Sequence, residues 1–552
     1  MTDRHILTRR TVLGSAALGA AAAGLAACSP PEGTPGADSG SGGSDAGGDG
    51  KSAKDTINLF MYQKPNGIFC PIAPSSGPDN QVMSLLFEPL LIADAEGKLV
   101  PRIAEKEPEV SEDATTFTFT IRKDLKWSDG QPLTAKDLVY TYTRAADAKA
   151  NPGAGMFGAI QGAAEYNGGT ATEISGLTAP DDTTFVIATT GPNAGLLGQI
   201  VTLLVMPEHA TKDLAAETFA SDPYWSAPTA ASGPYQFGEF KTDQYVKLTK
   251  NPEYREPAKI DNVFLKMVTA DVATSQLGTG ELDVAAISAN DAESVEALDT
   301  VTITDVPTNG FVRACWNQTQ ERFKDVKVRQ AFLCAVDREG IVKSALAGKG
   351  KVRNSAFDPA QTPDGIDEYA FDPERAKKLL GEANWDGSQS VKLAWIAGGN
   401  PDRDAAATVI QSQLKDVGVT VELQQVEGSF FTPAYKDRTY DITIYGGGDY
   451  KSEPFSTYNI LATDRWNPQG GNNGYYSNPE VDAALKAANE APEAEDRQKQ
   501  YEAAAKLENA DPSQMWLYTP DTVWAVAKNL QGFTGLSIDK GFIDAQKWTF
   551  TA

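Results

Sequence analysis

From Ile57 to the C-terminus, strand and helix signals alternate without a low-complexity break. This pattern constrains the fold more than any other feature, because such alternation builds α/β layers. Thr116–Ile121 (TFTFTI) alternates with period two, as a half-buried strand does. Asp129-Gly130 marks a turn, and Thr134-Ala135-Lys136-Asp137 has capping-box spacing ahead of Leu138, Val139 and Tyr142. An apolar stripe of Val328, Ala331, Phe332, Ala335, Ile341 and Val342 predicts one helix over about 326–346. A helix over about 402–417 leads through Gly418 into a strand at 419–423, a helix–glycine–strand unit. Residues 479–490 and 493–509 read as two more helices. The 552 residues suffice for about three or four ordinary domains. With one linker only, near the N-terminus, those domains are expected to be interleaved rather than strung in series.

The N-terminus reads as a targeting segment. Arg4, Arg9 and Arg10 precede an uncharged run, Thr11–Ala27, which is too short and too rich in Gly and Ala for a membrane span. Thr8-Arg9-Arg10-Thr11-Val12-Leu13 resembles a twin-arginine export signal. Leu25-Ala26-Ala27-Cys28 resembles a bacterial lipobox, in which the cysteine is lipidated and the peptide is cut before it. Residues 1–27 are therefore expected to be a signal peptide and Cys28 a lipidated anchor. Of the next 22 residues 15 are Gly, Ser or Pro and none is aromatic, so no core forms there. A flexible coil of that length spans roughly 25 Å, which suits a tether over 28–52.

Charge and residue inventory exclude several functions. Lys and Arg number 49 against 74 Asp and Glu, a net charge of -25. Loss of residues 1–27 removes three basic and one acidic residue, so the mature chain carries 46 minus 73, or -27. Such a chain disfavours nucleic acid. His5 and His209 are the two histidines, and His5 lies in the signal. A His-rich zinc site is thereby excluded, and no metal or cofactor is expected. Cys70, Cys315 and Cys334 remain after Cys28. A disulfide between Cys315 and Cys334 and buried free thiols both fit their spacing, and folding in the cytoplasm before export favours the thiols. The sequence holds no G-x-S-x-G, P-loop, H-E-x-x-H or C-x-x-C motif. A secreted hydrolase using paired carboxylates stays open by inventory alone.

Ordered blocks along the body carry a resemblance. Residues 85–106 (LLFEPLLIADAEGKLVPRIAEK) lead into VSEDATTFTFTIRKDLKWSDGQPLTAKDLVYTYTR. Ser232-Gly233-Pro234-Tyr235, Asn251-Pro252-Glu253-Tyr254, Gly280–Val284 and Trp316-Asn317 follow. Val328–Ala331 with Ala335–Arg338, and Tyr476–Asp482, complete the series. In this order they resemble the peptide/nickel family of extracytoplasmic solute-binding proteins of ABC importers. The resemblance implies an α/β, two-lobed Venus-flytrap (periplasmic-binding-protein) fold. Lobe I would comprise 53–290, with an extra subdomain inserted at about 90–190, and the return 518–552. Lobe II would comprise 291–517. Crossings near 285–305 and 512–522 would form a hinge, with ligand buried between the lobes. It further implies a monomer without enzymatic activity that carries peptide, or in some relatives oligosaccharide, to ABC permease subunits from the outer face of the cell membrane. Nickel chelates fit less well, since His209 would be the only imidazole.

One site is implied residue by residue. In Tyr440–Tyr450 (YDITIYGGGDY), a strand runs into a glycine-rich turn and an acid. Alone, Asp449 reads as an exposed acid in a loop. By resemblance to peptide-binding members it pairs with the ligand's α-ammonium, with Tyr445, Gly447, Gly448 and Tyr450 beside it. The stretch before Pro454 is one residue longer than the family's, which leaves the ligand's exact chemistry open. Tyr62 and Gln63 follow the first strand, where the cleft wall would begin. Trp316 with Asn317 is expected near the hinge, and Arg465 beside Trp466 would offer a donor for a ligand carboxylate. Ordinary packing or exposure fits these residues equally well.

Overall fold

Strands that are apolar on both faces belong inside layered α/β sheets, and Phe311–Trp316 (FVRACW) is buried at all six positions. It lies in a six-stranded sheet ordered Gly350–Val352, Met515–Pro520, Phe311–Trp316, Ile442–Gly447, Val391–Ile396, Val421–Val426. A second sheet of seven strands is ordered Val301–Val306, Thr522–Ala527, Val284–Ile287, Thr56–Met61, Asn262–Met267, Tyr245–Lys250, Tyr235–Lys241. The computed structural model describes residues 54–551 except 74–75, 95–98, 152, 194–202, 309, 358–360, 397–400, 428–429, 448–454, 468–469, 492 and 537–540. The expected signal peptide, Cys28 and the expected tether lie outside the described residues, as do Gly448, Asp449 and Tyr450.

The two sheets are the cores of two lobes. Between Leu91 and Tyr235 the chain leaves the first lobe's sheet and builds a four-stranded antiparallel sheet within 109–188. There Phe119 and Tyr142 pack on Phe185. The expected capping box forms, with Thr134 Oγ1 accepting from Lys136 N and Asp137 Oδ2 accepting from Thr134 N. Cys70, Cys315 and Cys334 are buried and unpaired.

The lobes join through two short crossings. One is 307–310, between Val301–Val306 in the first sheet and Phe311–Trp316 in the second. The other is Asp521, between Met515–Pro520 and Thr522–Ala527. Thr308 Oγ1 donates to Pro520 O at 2.7 Å, tying one crossing to the other. Asn290 Nδ2 donates to Ala345 O at 3.1 Å, and Lys349 pairs with Asp305 at 2.5 Å. Burial pushes the Asp521 carboxyl above its ordinary value, and Asp305 pushes it the same way.

Two expectations need correction. Lobe I was expected to end at 290 and resume at 518. Val301–Val306 pairs along its whole length with Thr522–Ala527, while Met515–Pro520 pairs with Phe311–Trp316. The first crossing therefore falls after residue 306, and the return falls at 521. The single helix over 326–346 is two, Val326–Ala335 and Arg338–Ala345. Asp337 ends the first by capping the second, its Oδ1 accepting from Gly340 N at 2.8 Å. Apolar periodicity continues through this break and hides it.

Candidate ligand-binding site

Strand register locates the site. In the first lobe Thr56–Met61, Asn262–Met267 and Val284–Ile287 run parallel. Ile287 pairs with Val523, two residues past Asp521, so the carboxyl ends of these strands lie at the hinge. In the second lobe Val391–Ile396, Val421–Val426 and Ile442–Gly447 also run parallel. Gly447 pairs with Phe311, the first residue after the other crossing. The carboxyl edges of both parallel sets thus reach the same hinge, where α/β sheets bind ligands.

On the second lobe's edge, Tyr445 is half-buried two residues before the end of its strand, and its hydroxyl accepts from Asn473 Nδ2 at 3.3 Å. Its ring lies 6.1 Å from Tyr435, which lies 5.7 Å from Phe431, and Phe430 is 5.6 Å from Phe431. Phe430 and Phe431 follow the Val421–Val426 strand and remain half-buried. Gly447 is exposed, and a Cβ there would sit 2.9 Å from the Phe311 ring. A Cβ on Gly446 would sit 2.5 Å from Arg403 Nη2. The glycine run therefore lets an aromatic ring and a guanidinium abut the strand end.

Beneath Tyr445 lies a residue that the sequence reading missed. Arg313 is 2% exposed, and its guanidinium carbon sits 4.3 Å from the Tyr445 ring centre, 5.1 Å from Phe311 and 5.6 Å from Trp516. Burial pushes this guanidinium down to about 10, and the like charge of Arg353 acts the same way. Arg353 shares one of these rings, 5.2 Å from Phe311. Trp516 is held in place by its indole N–H, which donates to the buried Glu508 at 2.9 Å. A signal was available: Arg313 is the one charge in an otherwise apolar strand.

The remaining candidates separate. Tyr62 directly follows the Thr56–Met61 strand at its hinge end, half-buried against the cluster around Phe60 and Leu277, and Gln63 beyond it is exposed. Trp316 was expected near the hinge, and this is corrected. It pairs with Ile442 at the opposite end of the sheet from Phe311, roughly 17 Å away at strand rise. It is fully buried against Phe332 in the second lobe's core. Asn317 is likewise buried and structural, its Nδ2 donating to Arg438 O at 3.0 Å and Tyr440 O at 2.9 Å. Arg465 stacks on Tyr458 at 5.3 Å and lies 3.7 Å from Asp464. Its segment reaches the site indirectly, because Arg465 O accepts from Asn472 N and the next residue, Asn473, holds Tyr445. Among the described residues no group of three or more His, Cys, Asp or Glu is placed to hold a metal ion. Among them, too, no helix is long and apolar enough to cross a membrane.

Comparisons with known proteins agree with this frame. Residues 98–469 match the family model described as bacterial extracellular solute-binding proteins, family 5 Middle. A putative ABC transporter peptide-binding protein of Brucella ovis is 28% identical over 482 residues, 85% of this chain and 87% of that protein. The oligopeptide-binding protein AppA of Bacillus subtilis is 26% identical over 487 residues, 84% of this chain and 86% of that protein. The structure of AppA in complex with a nonapeptide matches with a TM-score of 0.77 at 24% identity, covering 91% of this chain and all of that one. NikZ of Campylobacter jejuni in complex with Ni(L-His) matches with a TM-score of 0.77 at 22% identity, covering 90% and 99%. These structures establish the two-lobed fold. Because the family model spans more than half of the chain, on a body whose two sheets meet at one hinge, the protein belongs to the bacterial extracellular solute-binding proteins, family 5.

Proposed function

We propose that this protein binds peptides between its lobes and delivers them to the permease of an ABC importer, without chemical change to the ligand. The observation that carries the reading is the convergence of both sets of parallel carboxyl edges on one hinge, in a chain whose relatives are named as peptide binders along most of their length. Hinge closure would bury a ligand there, and the half-buried rings of Tyr445, Phe430 and Phe431 suit the apolar side chains of a peptide. Asp449, two residues beyond Gly447, supplies the counter-charge for the peptide's α-ammonium. Native mass spectrometry of protein purified from its own host tests the reading. The expected result is a bound mass that fragments as peptide and is recovered intact after hours with the protein. A bound oligosaccharide, or a peptide recovered cleaved, would overturn it.

The same proposal places the protein on the outer face of the cell membrane. Cleavage before Cys28 and lipidation of its thiol would leave residues 29–52 as the tether. A single acyl chain holds a protein only marginally, whereas a diacylglyceryl cysteine provides two. Cys28→Ser should move the protein from the membrane fraction to the soluble extracytoplasmic fraction. Retention in the membrane fraction as tight as in the wild type would rule out Cys28 as the anchor.

A further inference from the structure

Arg313 differs from every other deeply buried arginine of the second lobe. Arg338 donates to the carbonyls of Arg353, Trp516 and Tyr369 at 2.8–3.0 Å. Arg353 donates to Ser355 O and Ala356 O at 2.9 Å each. Arg329 donates to Pro512 O and Phe323 O and pairs with Asp511. These three are held by backbone carbonyls of the fold. Arg313 stands apart: among the described residues its Nε and Nη1 have no hydrogen-bond partner. A buried cation with two donors left unpaired is costly, and a fold keeps one only where something else repays that cost.

The surroundings define what the missing partner must be. Tyr445, Phe311 and Trp516 stack against the guanidinium, so its in-plane N–H donors are what remains to be satisfied. Two more cations adjoin the place. Arg353 shares the Phe311 ring, and Arg403 abuts Gly446 with its own Nε unpartnered among the described residues. Planar donors in a positive, water-poor setting call for a planar anion that accepts two hydrogen bonds, and a carboxylate has that geometry. We propose that Arg313 is the anion-recognition group of the binding site and that this protein selects peptides presenting a carboxylate to it. The inference rests on the peptide reading above. An acidic side chain and a free C-terminus offer the same chemistry.

The test separates these sources. Four pools of synthetic pentapeptides, all with free N-termini, combine Glu or Gln at randomised positions with a free or amidated C-terminus. Competition against a fluorescent peptide from the tightest pool reports affinity. Wild type should bind at least one carboxylate-bearing pool about thirty-fold or more tighter than the Gln, amidated pool. Preference that follows Glu assigns a side chain, and preference that follows the free C-terminus assigns the terminus. Equal binding of all four pools by the wild type overturns the proposal while leaving the peptide reading intact. Binding of none overturns both. Arg313→Met supplies the second arm. An apolar side chain of similar length should raise the ligand-free melting temperature, since an unpaired buried charge is removed, and should abolish the preference among pools. An arginine with a structural role alone would lower that temperature and leave the preference in place, and that pattern overturns the proposal.

Discussion

Asp449→Asn should weaken binding of a peptide with a free N-terminus by about 2–5 kcal/mol, or roughly thirty- to several-thousand-fold. The substitution keeps shape and removes charge, so an ammonium brought into a closed cleft would meet only neutral acceptors. An N-acetylated peptide lacks the cation. It should bind wild type poorly, and the substitution should change its affinity little, so the two losses should not add. Calorimetry on both proteins with both peptides closes the cycle. Equal affinity of the wild type for free and acetylated peptide would remove the ammonium role. Equal weakening of both by Asp449→Asn would make the role of the residue structural. The cycle is independent of Arg313, because the peptide pools above all carry free N-termini. A ligand held at both charges would be fixed at two points, leaving Phe430 and Phe431 to its apolar side chains.

Trp316→Ala should cost about 3–5 kcal/mol of stability and leave ligand choice alone. Trp316 is fully buried, touches Phe332 and belongs to the cluster that includes Phe323, Val328 and Leu393. Its removal opens a cavity that neighbours in both packed helices and the sheet cannot fill without moving. For a lobe of this size the loss corresponds to a drop of roughly 6–20 °C in its unfolding transition. Scanning calorimetry measures the drop, and the ranking of peptides by competition should match wild type. A changed ranking with an unchanged transition would return Trp316 to the binding site. The contrast with Arg313 is sharp, although the two residues share one strand. One sits at the core end, and the other lies near the hinge end.

Local elements were legible in the sequence because local physics decides them. The 116–120 strand, the Thr134 cap and the 479–490 helix needed only period, capping chemistry and turn residues, and each lies where expected to within a residue or two. Gly418, in the left-handed region with φ of 88°, ends the helix at 401–416 as expected. The α/β class followed from alternation, and the two-lobed frame was what the family resemblance implied. Asp337 escaped because a cap inside a continuous apolar stripe leaves the stripe's period unchanged.

What the sequence by itself determined is therefore most of the local elements and the acidic composition of the body. What only the tertiary structure decided is which end of each strand meets the hinge. Pairing of Val301–Val306 with Thr522–Ala527 placed the crossings, and pairing of Phe311 with Gly447 put Arg313 close behind the site and Trp316 at the far edge. Strand register and strand direction are contacts between residues more than a hundred positions apart, and no local period encodes them. The same distance explains Arg313. One charge in an apolar strand reads equally as a salt-bridged core residue or a ligand contact, until Arg338, Arg353 and Arg329 are seen to be held by backbone carbonyls while Nε and Nη1 of Arg313 have no partner.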